Sequence, residues 1–202
     1  SGEFRIGCPE TPLRRLMPLI TEFKKTYPGI RIIIDQGSNA EMVKSIGDHR
    51  NELAIIRCRP NSSRLKTRVI WTEEVVLIAA PKSFHLSGLE ISVMQLPVIP
   101  LIFRREGSAV REVVLEYFRK FKINPFVAME AGSIVVLKEF VMQDSGLAFV
   151  ERDAIEEELK NGSLKSVHIL EGSPTIEFGI GYRNRKDLSP PAWAFLRLLE
   201  KS

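Results

Sequence analysis

The same succession of elements occurs twice along the amino-acid sequence, and this repeat constrains the fold more than any other feature. Gly-Ser pairs begin at positions 37 and 132, and each pair follows a β-rich apolar run and precedes a helical pattern. The strand patterns ELAII at 52–56 and GLAFV at 146–150 are 94 residues apart, close to the 95 between the Gly-Ser pairs. A near-constant offset indicates an internal duplication. We therefore predict two copies of a β-α-β-α-β unit and a two-lobed α/β protein.

The second copy begins with a strand, a polar turn and a helix. Residues 98–103 are apolar and β-rich, the turn RREGS follows, and Ser108 opens an amphipathic helical pattern over 109–120. In open α/β sheets, ligands bind at the carboxyl ends of strands, where such turns lie. Ser108 at the N-cap favours an anion at the helix N-terminus. Three arginines add positive charge there: Arg104, Arg105 and Arg111. The alternative is a solvated turn with an ordinary serine cap.

The segments outside the two copies predict strands that cross between the lobes. Residues 68–80 form a strand pattern that is too long for one small lobe, and two alternating strands within 164–183 provide the return crossing. The closing helical pattern at 190–200 then packs on the first lobe. The predicted fold class is α/β, with two Rossmann-like lobes joined by two crossover strands. The expected lobes are residues 1–80 plus 165–202 (lobe I) and 81–164 (lobe II).

The composition excludes several classes of protein. Hydrophobic residues at 44% and charged residues at 27% are typical of a folded globular chain. The longest uncharged apolar run, 75–81, is far shorter than the roughly 20 residues that cross a bilayer, so we expect no membrane partner. The sequence starts Ser-Gly-Glu, without an export signal or an initiator Met, so we expect a longer natural protein in the cytoplasm. A net charge of +4 is compatible with an anionic ligand.

The two cysteines, Cys8 and Cys58, are too few for the disulfide framework of a secreted protein. With strand order 2-1-3 in the first lobe, the first and third strands are neighbours, and both thiols follow their carboxyl ends. We expect a reduced, unconnected pair. A redox-switched disulfide is the alternative, and it requires Cα atoms within about 7 Å.

No arrangement of catalytic or metal-ligating groups can be assembled from the sequence. The only histidines are His49, His85 and His168, and none follows a predicted strand. Zinc-ligand spacing, a nucleophile elbow, a P-loop and a dinucleotide-binding motif are all missing. Glu106 and Glu130 can both face the cleft between the predicted lobes, but the alternative for each is a solvated surface position or pairing with a nearby arginine. We expect neither an enzyme nor a bound metal or cofactor.

Along its whole length the chain resembles the effector-binding domain of LysR-type transcriptional regulators. The resemblance is carried by IGCPETPLRRLMPLITEFKKTYPGIRI, GSNAEM, ELAIIR, LIFRREGSAVR, SGLAFVERDAIEEELKNGSL and SPPAWAFLRLL. It implies a periplasmic-binding-protein-like (type 2) fold with a small-molecule inducer in the cleft between the lobes. It also implies a winged helix-turn-helix and a linker helix ahead of this domain, through which alone the protein would contact DNA. A transporter's solute-binding protein shares the fold and is the alternative.

The expected ligand-binding positions are rich in hydroxyls, backbone N–H groups and arginines, which bind anions. The residues themselves predict that four helix N-termini, at Thr11, Ser38, Ser108 and Ser133, point towards the ligand. One departure is Cys8-Pro-Glu10, where relatives usually carry smaller hydroxyl residues. With the positions that the resemblance implies, the expected set is Pro9, Thr11, Ser38, Arg57, Phe103, Arg104, Ser108 and Ser133.

The resemblance also implies an assembly. Related domains form a side-by-side antiparallel homodimer, in which helix 13–25 of one subunit packs on helix 109–120 of the other. Both helical patterns contain apolar residues beyond a single stripe, which fits this expectation. For the full-length protein we expect a higher oligomer.

Overall fold

The computed structural model describes residues 2–59 and 65–200, and the chain divides into two compact units. Unit 1 comprises Ser1–Thr72 with Glu177–Ser202, and unit 2 comprises Glu73–Ile176. Both divisions fall inside long strands. The first lies eight residues before the lobe boundary expected after residue 80, and the second lies twelve residues after the boundary expected after residue 164. Each of the two crossing strands contributes residues to both units, so neither boundary coincides with a strand end.

Sixteen labelled elements follow one another along the chain. They are β1 (Gly2–Cys8), α1 (Glu10–Thr26), β2 (Ile30–Gln36), α2 (Asn39–Gly47), β3 (Leu53–Arg57), β4 (Lys66–Ala79), β5 (Glu90–Ile91), β6 (Leu101–Arg104), α3 (Ala109–Lys120), β7 (Val127–Ala131), α4 (Ile134–Met142), β8 (Leu147–Glu151), α5 (Glu156–Asn161), β9 (Lys165–Ile169), β10 (Thr175–Tyr182) and α6 (Pro190–Leu199).

Unit 1 contains a mixed sheet in the order β2-β1-β3-β10-β4. Strand β1 is parallel to both β2 and β3, which confirms the order 2-1-3, and β10 returns antiparallel to β3. Its core joins β1, α1 and α6 through three fully buried rings, those of Phe4, Phe23 and Phe195, whose centroids lie 5.3–5.7 Å apart. The closing helix therefore packs on the first copy, as predicted.

Unit 2 repeats this arrangement with the order β7-β6-β8-β4. Strand β6 is parallel to β7 and β8, whereas β4 is antiparallel to β8. Helix α4 covers one face of the sheet, where Leu137 and Val141 pack with Val150. Helix α3 covers the opposite face, where Phe118 meets Phe149 edge-on at 5.8 Å. Successive residues of β8 thus contact opposite helices, as expected for a strand that is buried on both faces.

The bounds of α3 coincide with the predicted helix over 109–120, but those of the preceding strand do not match the prediction. The expected strand over 98–103 is wrong at its start, because β6 begins at Leu101. Residues Val93–Val98 form a 3₁₀ helix instead, in which Ser92 and Gln95 cap each other reciprocally. Pro97 lies inside that turn and has no N–H to contribute to a strand ladder. Across the described ranges, no helix is both long enough and apolar enough to span a bilayer.

Candidate functional site

The eight predicted site residues lie at the carboxyl edges of the parallel strands, four in each unit. In unit 1 they end or follow β1, β2 and β3, and in unit 2 they lie at the end of β6 or follow β6 and β7. Parallel neighbours end at the same edge of a sheet, so each group of four is gathered at one edge of its own unit. The groups are Pro9, Thr11, Ser38 and Arg57 in unit 1, and Phe103, Arg104, Ser108 and Ser133 in unit 2.

The prediction that Thr11 caps the first helix is wrong. Helix α1 begins at Glu10, its N-cap is Pro9 in an extended conformation, and no side chain caps it. Pro12 therefore lies at the third helical position. The sequence tolerates this because the N–H groups of the first turn have no helical partner in any case. Thr11 and the carboxylate of Glu10 both lie within that first turn.

Ser38 caps α2 as predicted, but the N-terminus of this helix already holds a carboxylate. The Ser38 hydroxyl accepts a hydrogen bond from the Glu41 N–H at 3.2 Å, and the Ser38 N–H donates to Glu41 Oε2 at 2.5 Å. This reciprocal capping box places a negative charge where an external anion would bind. The spacing Ser38-Asn-Ala-Glu41 is its sequence signal, which the sequence analysis missed.

A second residue that the sequence analysis missed is Asn39, at the first position of α2. Its side chain is buried, and Oδ1 accepts a hydrogen bond from the backbone N–H of Arg57 at 2.7 Å. This bond ties the start of α2 to the carboxyl end of β3. Asn39 therefore fixes the backbone from which the Arg57 side chain departs. A polar residue after a cap serine carries no pattern that would reveal such a long-range contact.

The helix N-termini of unit 2 lack the reciprocal box seen in α2. Ser108 accepts from the Arg111 N–H at 3.5 Å, and Ser133 accepts from the Val136 N–H at 3.2 Å, which confirms both as N-caps. The third helical residue, which closes a capping box when it is Glu or Gln, is Arg111 in α3 and Val136 in α4. The first turn of α4 contains no acidic residue, and that of α3 contains Glu112. These two N-termini suit an external anion better than that of α2.

Arg111 connects several parts of this edge of unit 2. Its Nη1 donates to the Arg104 carbonyl oxygen at 2.9 Å and to Glu130 Oε1 at 2.7 Å. Its guanidinium also lies 5.6 Å above the ring centroid of Phe103. Only 16% of the Arg111 side chain is exposed. Glu130 is therefore paired with an arginine, Arg111, which is the alternative role named for it above. Glu106 lies exposed in the turn.

Backbone hydrogen bonds fix the turn between β6 and α3. The Arg105 N–H donates to the Ala131 carbonyl at 3.2 Å, which ties the turn to the end of β7. The Ser108 N–H donates to the Arg105 carbonyl at 3.3 Å, and Gly107 between them has a φ of +82°. A positive φ favours glycine, so this position in RREGS is sterically specified. The turn thus presents Arg104 and the start of α3 from a defined backbone.

Both cysteines are free thiols, and burial determines their chemistry. Cys8 is buried and Cys58 is partly exposed. Burial raises the pKa of both thiols, that of Cys58 to about 11, with the negative charge of Glu177 acting in the same direction. A thiol with a raised pKa stays protonated, and therefore poorly nucleophilic, at neutral pH. Neither environment is that of a reactive redox cysteine.

We expect the rate of Cys58 alkylation to rise about tenfold per pH unit up to about pH 10, because the thiolate fraction does so below the pKa. The measurement is the rate of iodoacetamide incorporation by mass spectrometry, with free cysteine as the reference and Cys58→Ser as the control. The alkylation rate of free cysteine, whose pKa is about 8.5, should level off above about pH 9.5. A plateau for Cys58 below pH 9 would contradict the assignment.

The histidines lie away from the carboxyl edges. His49 Nδ1 is 3.2 Å from Arg183 Nη1, and His85 Nε2 is 3.1 Å from the Asp144 carbonyl oxygen. Among residues 2–59 and 65–200, no three His, Cys, Asp or Glu side chains are grouped so that they could hold a metal ion. Chemically, the two edges therefore offer hydroxyls, helix N-termini and arginines.

Comparison with known proteins assigns this chain to a domain type. A model of the LysR substrate binding domain matches residues 1–202. PhnC of Anaeromyxobacter dehalogenans, a phosphonates import ATP-binding protein, is 30% identical over 83% of this chain and 34% of its own length. CmpR of Synechocystis sp., an HTH-type transcriptional activator, is 27% identical over 98% of this chain and 65% of its own length. The chain thus spans between about one third and two thirds of these relatives.

Two solved structures have the same fold. The regulatory domain of Synechocystis CcmR, in complex with 2-PG, has a TM-score of 0.90 at 21% identity, covering 100% of this chain and 97% of that one. The effector-binding domain of QuiR, in complex with shikimate, has a TM-score of 0.87 at 18% identity, covering 100% and 96%. At these identities the likeness concerns the fold alone. It confirms the predicted fold class, the periplasmic-binding-protein-like (type 2) fold of such regulatory domains.

Proposed function

Because the chain belongs to the LysR substrate binding domain family, we propose that it binds a small anionic effector and thereby controls the activity of a longer transcriptional regulator. The observation that carries the anionic character is the edge of unit 2. There Arg104 ends β6, and the caps Ser108 and Ser133 open two helices without a capping-box carboxylate. Each such N-terminus favours an anion by about 0.3–1 kcal/mol when exposed. An arginine adds bidentate recognition of a carboxylate or phosphate.

The residues of unit 1 have a more limited part in this proposal. Ser38 already shares its N–H with Glu41, so we expect it to offer its hydroxyl to the effector. Arg57 contributes charge from a backbone that Asn39 holds. Pro9 and Thr11 contribute the first turn of α1. The complexes of CcmR with 2-PG and of QuiR with shikimate support a small organic acid as the effector class here.

A thermal-shift experiment tests the function directly. The domain is heated with inorganic phosphate, 2-PG or shikimate at increasing concentration, and with glycerol as an uncharged control. A ligand at 100 times its Kd stabilises the folded state by about 2.7 kcal/mol, so at least one anion should raise the unfolding temperature in a saturable manner. Glycerol should give no saturable shift. The absence of a saturable shift with all three anions would contradict the proposal.

The transporter alternative is not favoured, because the family model and CmpR both describe regulators. CmpR, which matches 98% of this chain, is a transcriptional activator, and we propose a regulatory and not a catalytic role here. DNA contact through an upstream helix-turn-helix, and a cytoplasmic location, belong to the same proposal. The coding sequence upstream of Ser1 distinguishes the two functions. A helix-turn-helix supports the regulator, and an export signal supports the solute-binding protein.

The structure supports one half of the expected dimer contact. Met17 on α1 is 49% exposed, and a groove of about 630 Å³ between α1 and β2 has an apolar floor with a basic rim. The groove is lined by Ile20, Thr21, Lys24, Lys25, Gly29, Ile30, Arg31, Ile32 and Ile34. The expectation of surplus apolar surface on α3 is wrong, because Val113, Val114, Tyr117 and Phe118 are all buried within unit 2.

We expect a homodimer that forms through the α1–β2 face and dissociates when that face is charged. Met17→Glu and Ile34→Glu should each shift the protein towards monomer at tens of micromolar, because a carboxylate cannot be buried there without a partner. Light scattering measures the mass. Val69→Glu is the control, since Val69 is similarly exposed but lies on β4, at the other edge of the unit 1 sheet. A monomeric wild type would contradict the prediction.

A further inference from the structure

Arg111 is placed between the two turns of unit 2 that the proposed function uses. It lies in the first turn of α3, where its own N–H bonds to the cap hydroxyl of Ser108. Its side chain reaches back to the carbonyl of Arg104, the last residue of β6. One residue thus contacts both ends of the β6–α3 turn.

Glu130 extends these contacts to the second turn. It lies on β7, directly opposite Phe103 in the register of the sheet, and three residues before the cap Ser133. Its carboxylate accepts the charge-assisted bond from Arg111 at 2.7 Å, although 48% of its side chain remains exposed. Such bonds are short and directional. The Arg111–Glu130 bond therefore ties the start of α3 to the strand that leads into α4.

We propose that Arg111 and Glu130 form a positioning pair, which holds the two anion-binding turns in register without contacting the effector. The proposal rests on the proposed function. In this arrangement the Arg111 guanidinium is committed to a carbonyl, a carboxylate and the ring of Phe103. The anion is then left to Arg104 and to the helix N-termini.

The replacement Glu130→Gln separates a positioning role from a simple charge effect. A carboxylate near an anion site repels the anion. The charge effect alone therefore predicts that removing the Glu130 carboxylate makes the anion bind more tightly. If Glu130 instead holds Arg111 in place, its loss frees that side chain and lets the two turns move apart. Binding then becomes weaker although the site has become more positive. The two accounts thus predict opposite signs.

The experiment is isothermal titration calorimetry with inorganic phosphate as the probe. We expect Glu130→Gln to weaken phosphate binding about fivefold or more, with a far-UV spectrum like that of the wild type. Arg111→Met should also weaken it, and the double variant should bind no more weakly than Arg111→Met alone, because the two residues act as one unit. Glu106→Gln makes the same charge change on an exposed residue of the turn. It should bind phosphate as tightly as the wild type or more tightly.

The outcomes distinguish this inference from the function on which it rests. If the wild type binds phosphate and Glu130→Gln binds it equally well or better, the positioning role is overturned and the anion site stands. Additive losses in the double variant also overturn the pairing. If the wild type does not bind phosphate, the same variants are compared with 2-PG or shikimate, whichever binds. The anion site and the inference both fall if the wild type binds none of the three.

Discussion

Replacing Phe195 by alanine is expected to lower the free energy of unfolding of unit 1 by about 3–5 kcal/mol. The Phe195 ring is fully buried, 5.3 Å from the rings of both Phe4 and Phe23. It is therefore the contact through which α6, from the end of the chain, meets β1 and α1 from its start. The variant removes this ring and leaves a cavity that rigid neighbours cannot fill. A domain with ordinary stability would lose a large part of it.

Urea denaturation followed by tryptophan fluorescence measures this loss. The only two tryptophans, Trp71 and Trp193, both belong to unit 1, so the signal reports the unit that carries the substitution. Val43→Ala, on α2 of the same unit, is the control, because it shortens a side chain that is 39% exposed. It should change the free energy by less than about 0.5 kcal/mol. A loss below about 1 kcal/mol for Phe195→Ala would contradict the packing of α6.

Replacing Arg104 by alanine is expected to weaken phosphate binding at least about tenfold, since a hydrogen bond to a charged group contributes about 1.5–3 kcal/mol. Arg104 ends β6 at the carboxyl edge of the unit 2 sheet, and its backbone is held by Arg111. The variant removes one cation but leaves both helix N-termini in place. Residual binding should therefore persist at higher phosphate concentration.

Calorimetry with inorganic phosphate tests this prediction, and Arg105→Ala is the control. Arg105 carries the same charge one residue later, at an exposed position of the turn. Its known structural bond, from its backbone N–H to the Ala131 carbonyl, survives the substitution. We expect less than about a threefold loss for Arg105→Ala, as for an exposed and screened charge. Equal losses for the two variants would indicate a general charge effect in place of a site.

Local patterns in the sequence were sufficient to predict most of the fold. The repeat offset predicted the paired sheets, and the serine caps Ser108 and Ser133 predicted where α3 and α4 begin. These features depend on residues within one or two turns of each other, which the sequence shows directly. The long pattern over 68–80 likewise identified β4 as a strand shared between the two copies.

Other features depend on contacts that local patterns do not contain. Pro9 caps α1 without any side-chain bond, so the preference for Thr11 as a cap misled the prediction. The apolar residues of α3 looked like surplus because the sequence does not show their partners. Tyr117, for example, donates its hydroxyl hydrogen to the Gly172 carbonyl, 55 residues away, at 2.6 Å.

The roles of the site residues were harder to predict than their location. Arg104 and Arg111 look equivalent in the sequence, and only the register of β6 with β7 brings Glu130 within 2.7 Å of Arg111. The capping role of Glu41 could have been predicted from the sequence, because the capping box is a local motif. Asn39 was not, because its bond to Arg57 spans 18 residues.

The most direct test of the anion site is a titration of the isotopically labelled domain with inorganic phosphate, followed by amide NMR spectra. Our account predicts saturable shifts that are largest at the first N–H groups of α3 and α4, from Ala109, Val110, Ile134 and Val135. Arg104→Ala should move the saturation point to higher phosphate concentration without changing which amides respond. Shifts confined to the basic rim of the α1–β2 groove, or shifts that never saturate, would contradict an effector site at the carboxyl edge of unit 2.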